Sequence, residues 1–164
     1  MLVAGYCLTS ATNENTIKPQ LLWDLYQTST RNAHELLIAR GFRFLKRLEN
    51  LMLYQSPGEA FTLTEENGVV TTVQYKIRDE KAYYTCLKYA EEGLHFQTIF
   101  ENHEPPAYIM RLDDEKCSVV GMMIGGEGDY QSLAITLLAK LPPHNAERKV
   151  EVILQPPPGS PMLM

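Results

Sequence analysis

The sequence predicts an α+β fold: two helix-plus-antiparallel-meander units, with the helices packed on one face of the sheet. Three observations predict it. Tyr83, Leu87, Ala90 and Leu94 recur at the 3.6-residue period of one helical face. Beyond Gly93 the period switches to two, with Leu94, Phe96, Thr98 and Phe100 alternating against His95, Gln97, Ile99 and Glu101. That change of rhythm has an echo. Arg40-Gly41-Phe42-Arg43-Phe44 resembles Glu92-Gly93-Leu94-His95-Phe96 at an offset of 52. The chain therefore divides into an N-terminal extension or strand (1–18), a first unit (19–78), a second unit (79–141), and an edge strand with a proline-rich tail (142–164).

The elements follow in order. Residues 2–11 are apolar and end in small residues, so they read either as a strand or as the remnant of an export signal. No basic segment precedes them, and the compartment stays open. Pro19 opens a helix in its first turn, with Leu21, Leu22 and Leu25 as the apolar stripe. Thr28-Ser29-Thr30 supplies caps, and Ala33, Leu36, Leu37 and Arg40 carry a second helix to Gly41. The basic run Arg40, Arg43, Lys46, Arg47 falls on a strand. Leu51 with Leu53, and Phe61 with Leu63, form short alternating sets around a Pro57-Gly58 turn. Asn67-Gly68 is a strong hairpin signal. Val69, Thr71, Val73, Tyr75 and Ile77 alternate with Val70, Thr72, Gln74, Lys76 and Arg78, as in a sheet with one wet face. Asp79 caps the central helix, and Gly93 suits the left-handed turn that ends it. Tyr108–Leu112 reads as a strand, and Cys117–Ile124, apolar nearly throughout, as a central strand covered on both faces. Tyr130–Leu141 fits either helix or strand. The glycine-rich turn before it favours a strand paired to its predecessor. Lys149–Leu154 reads as a late edge strand.

A helix followed by an antiparallel meander, occurring twice, resembles the β-lactamase-inhibitor-like architecture and small bacterial proteins built from such units. Leu36–Phe44 and Tyr83–Phe96 carry the resemblance. The inhibitors' paired cysteines are absent, and the repeats here are shorter. The resemblance implies a sheet surface that grips another protein, and it transfers no functional residue.

Composition narrows the function. The chain has 164 residues, enough for one domain or two small units sharing a core. Its formal net charge is −5, which argues against nucleic acid as a partner. Residues 79–129 hold eleven acids and four bases, a net of −7, so the middle third is the acidic part. Three widely spaced cysteines, Cys7, Cys86 and Cys117, make neither a disulfide framework nor a CxxC metal pair. No run is long and apolar enough to span a membrane.

Catalytic and metal motifs are incomplete. His34-Glu35 begins like a zinc-protease helix, but Ile38 stands where the second imidazole is needed. His95, His103 and Glu104 form a loose set of transition-metal donors without fixed geometry. Asp113-Asp114-Glu115 and Glu127/Asp129 are two acidic turns without calcium-loop spacing. Gly121, Gly125, Gly126 and Gly128 are interspersed with carboxylates that repel phosphate. No nucleophile elbow is present. The expectation is thus a non-catalytic protein-binding or inhibitor-like module, with no cofactor and no metal, able to form a homodimer. Its expected binding residues are Tyr84, Tyr89, His95, His103 and Tyr108, since tyrosine is a common contact residue. The alternatives are a small enzyme or ligand carrier with a pocket between helices and sheet, and an acidic secretion or assembly chaperone.

Overall fold

The computed structural model describes residues 14–77, 79–104, 106–126 and 129–142. The fold is α+β and mostly sheet. Helices α1 (Glu14–Leu25) and α2 (Thr30–Ala39) precede strands β1 (Arg43–Leu48), β2 (Leu51–Ser56), β3 (Glu59–Glu66) and β4 (Val69–Ile77). Helix α3 (Glu80–Lys88) runs into a π turn (Tyr89–Gly93), and β5 (Gln97–Asn102), β6 (Ala107–Asp113), β7 (Cys117–Gly126) and β8 (Asp129–Ala139) follow. Among the described residues, eight strands form one antiparallel sheet in the order β1-β2-β3-β4-β8-β7-β6-β5. Each group of four consecutive strands is a meander. The two meanders meet where Thr72–Ile77 pairs with Leu133–Leu138.

Local chemistry explains the helix ends. Ser29 Oγ accepts a hydrogen bond from the Asn32 N–H at 3.2 Å and caps α2. At its C-terminus Gly41 turns left-handed (φ 86°), and Phe42 N–H reaches the Leu37 carbonyl while Gly41 N–H reaches that of Ile38. That is a Schellman closure, and it drops Phe42 into the core. Asp79 caps α3 by accepting from the Lys81 N–H at 2.9 Å. α1 differs from expectation. It reaches back to Glu14, into the segment read as an extension, so Pro19 sits inside the helix and not in its first turn. The cost is one intrahelical hydrogen bond.

The end of α3 also differs. Gly93 does not turn left-handed. The positive φ falls on His95 (60°), two residues further on, after a π turn that runs to Gly93. Gly93 has a different job. A Cβ there would lie 3.1 Å from the Tyr89 ring, so the glycine lets that ring lie against the turn. β5 begins at Gln97, three residues later than the alternation predicts.

Strand predictions hold at several points. Asn67 and Gly68 both take positive φ (53° and 79°) in the β3–β4 turn. Tyr130–Leu141 lies mainly in a strand, with β8 paired on both sides. β7 is buried from Cys117 to Met123. In β2, however, Met52 and Tyr54 face the core, while Leu51 and Leu53 are half-buried on the other face. In β4, Thr71 is an extra residue where the register with β3 shifts between Thr64 and Glu65, and this bulge brings Val70 inward beside Val73. The expected Lys149–Leu154 strand, the proline-rich tail and residues 2–11 lie outside the described residues.

One large core gathers Leu22, Leu25, Ala33 and Leu37 from α1 and α2, Tyr83, Cys86, Leu87 and Ala90 from α3 and its π turn, and one row from each of several strands. A second, smaller cluster lies apart from it: Val120, Leu138 and Leu141, with Ile109 against them. Val120, Leu138 and Ile109 belong to the alternating rows opposite Val119, Leu137 and Leu112, and Leu141 lies just past β8.

Candidate functional site

The most distinctive opening lies where α3 crosses β6 and β7. It encloses about 320 Å³. Tyr83, Tyr84 and Leu87 of α3 form one wall, Tyr108 and Met110 of β6 with Met123 of β7 form the floor, and Asn102, the last residue of β5, with His103 forms the rim. Helical spacing sets the first wall, since Tyr83 and Leu87 are one turn apart. Strand alternation sets the floor, because Tyr108 and Met110 share a face and Tyr108 pairs with Met123 across the ladder.

The floor depends on Gly121. A Cβ on this residue would come within 2.5 Å of Tyr83 Oη. The glycine admits the phenol, so Tyr83 is fully buried over the strand and packs edge-on against Tyr84 at 5.4 Å. Tyr84, by contrast, is 48% exposed at the mouth. Its hydroxyl pKa is raised, by partial burial first and then by Glu80 and Tyr108. His103 Nε2 lies 3.0 Å from Glu101 Oε2, and its ring meets that of Tyr108 at 6.3 Å.

Three of the five residues expected to bind, Tyr84, His103 and Tyr108, therefore line one opening. The other two lie elsewhere. Tyr89 packs edge-on against Trp23 at 5.4 Å and hydrogen-bonds Gln20, tying α1 to the π turn. His95 is exposed at the chain reversal, in the left-handed conformation. His95, His103 and Glu104 do not gather into a metal site. Among the described residues no group of three or more His, Cys, Asp or Glu side chains is placed to hold an ion. Sequence reasoning missed Met110 and Met123, which give the floor its apolar, deformable surface. The signal was available in the alternation of β6 and β7, but only the pairing register brings them to one place.

The other candidate groups are occupied structurally. Asp113 forms a two-pronged ion pair with Arg111 (2.8 and 2.6 Å), and both side chains are buried. Asp114 Oδ1 accepts from the N–H groups of Lys116 and Cys117 (2.6 and 2.7 Å) and shapes the β6–β7 turn. Glu127 and Gly128 lie outside the described residues. Cys117 is buried, and burial first, then Asp114, pushes its thiol up to about 12, far from a nucleophile's range. His34 lies 3.1 Å from Tyr54 Oη and packs against Phe44, as a structural contact of α2 with the sheet.

The surface has a second uncommon feature. Every residue of β1, at one border of the sheet, is exposed, including Phe44, Leu45 and Leu48. At the opposite border Ile99 of β5 is exposed too.

Among the described residues no helix is long and apolar enough to cross a membrane. Comparison with protein-family models, with curated proteins and with solved structures finds no match.

Proposed function

We propose that the chain is a non-catalytic protein-binding module whose α3–β6 opening receives an apolar anchor side chain of a partner protein. The observation that carries this reading is the convergence of Tyr84, Tyr108, Met110 and Met123 around one open cavity of about 320 Å³. Aromatic residues and methionine are the types enriched at interface cores, and hot spots concentrate in such recesses. The rim selects the partner's charge. Glu80 precedes Tyr84 by one helical turn, Glu101 touches His103, and Glu104 follows it. A large apolar residue flanked by Lys or Arg suits this site.

We further propose that the scaffold is two helix-plus-meander units side by side, with the helices against one face, an organisation that resembles the β-lactamase-inhibitor-like architecture. Support comes from an equivalence at an offset of 54, in place of the 52 that the sequence alone suggests. Gly41 and His95 are both left-handed, and Phe42 and Phe96, which follow them, are both buried. β1 is bulged between Phe44 and Lys46, and β5 between Thr98 and Phe100. The skipped residues, Leu45 and Ile99, are both exposed.

Selection from a displayed peptide library tests the binding reading. Expected is enrichment of peptides with an aromatic or large aliphatic residue beside basic ones. Tyr84→Ala and Tyr108→Ala should each weaken the selected peptides by roughly thirtyfold, the scale of a hot-spot side chain. No enriched sequence, or one indifferent to both substitutions, refutes it.

A further inference from the structure

We infer that the two borders of the sheet are complementary docking edges, and that β1 of one molecule receives β5 of a second copy of this chain. The inference is independent of the α3–β6 opening. It stands on three observations.

Both borders expose apolar surface. Leu45 is 49% exposed and Ile99 54%, with Phe44 and Leu48 also exposed on β1. Exposed apolar groups on an outer strand with an open backbone edge are the usual template for pairing with another chain.

The borders carry opposite charge. Residues 36–48 contain Arg40, Arg43, Lys46 and Arg47 and no acid. Among the described residues, Arg47 is paired, to Glu65 at 2.8 Å. Residues 89–110 contain Glu91, Glu92, Glu101 and Glu104 and no Lys or Arg. A two-fold contact through either border would set like charge against like. Pairing β1 with β5 of the next molecule sets cations against carboxylates, so charge selects the head-to-tail arrangement.

The strand directions permit it. Neighbours alternate in direction across all eight strands. Because the number is even, repeating the molecule along the sheet brings β5 antiparallel to the next β1. The bulge in each border strand interrupts a continuous main-chain ladder. Side chains and charge must then carry much of the contact, which makes the association weak, reversible and sensitive to salt.

Sedimentation velocity on the full chain tests this. At low salt the weight-average sedimentation coefficient should rise with concentration, and at high salt it should return to the monomer value. Arg43→Glu with Lys46→Glu, or Glu101→Lys with Glu104→Lys, should each weaken association roughly tenfold or more. Mixing these two reversed variants should restore it, because each supplies the border that the other lacks. If a reversed variant fails to fold, Lys46→Gln and Glu101→Gln should still flatten the salt dependence. A wild-type chain that stays monomeric at millimolar concentration overturns the proposal. So does association that survives both reversals, or a mixture no stronger than its parts.

Discussion

Gly121 and Tyr83 decide how closely α3 approaches the sheet. The phenol of Tyr83 occupies the space above a residue with no side chain, where any Cβ would meet it at 2.5 Å. Gly121→Ala should therefore force α3 outward and cost ~1–3 kcal/mol. Denaturant unfolding followed by the fluorescence of Trp23, the single tryptophan, measures it. Asp114 acts through pH. Burial works to raise its pKa, but the N–H groups of Cys117 and Lys116 outweigh it, and the carboxyl sits below its ordinary 3.8. A depressed carboxyl stabilises the fold fully above its unfolded value, and this stability is lost as pH falls through the lower folded value. The acid limb of a stability–pH curve should thus flatten in Asp114→Ala, and unchanged acid sensitivity would remove the carboxylate from the account. None of this is visible in the sequence. Gly121 reads there as one of several glycines near a turn, and Asp114 as one of three consecutive acids.

At the level of elements, β6 holds a buried ion pair. Arg111 and Asp113, at positions i and i+2, share the strand face opposite the main core and are only 2% and 6% exposed. Arg111 Nη2 also donates to the Leu141 carbonyl at 2.7 Å, and Ser118 Oγ accepts from the Leu141 N–H at 3.0 Å. The pair therefore fixes where the chain goes after β8. Asp113→Ala should leave a buried guanidinium uncompensated and cost ~3–5 kcal/mol. Replacing both, as Arg111→Met with Asp113→Leu, should recover most of that loss, and thermal melts of the two variants decide the matter. Elements with one strong local signal were legible in advance: Asn67-Gly68 for a hairpin, the Tyr83–Leu87–Ala90 stripe for α3, the apolar run of β7. Phase was not. Bulges between Thr64 and Glu65 and between Thr98 and Phe100 each displace a strand by one residue, and no side-chain pattern announces them. The same holds for the π turn, after which the left-handed position falls on His95 and not on Gly93.

For the whole molecule, the centre of the sheet is the seam between β4 and β8, the last strand of each meander. The sequence suggests two similar stretches but not how they join, because pairing between residues about sixty apart leaves no local trace. The three tyrosine and histidine positions of the α3–β6 opening were picked out by residue type, and their convergence came from topology. The seam has one further consequence. Each meander is contiguous in the chain, and the stretch between Ile77 and Gln97, which holds α3 and the π turn, joins them. A molecule nicked there should behave as a split reporter does. Its two fragments would each own half of every backbone bond across the seam and should find each other in solution, regaining the native Trp23 emission only when both are present.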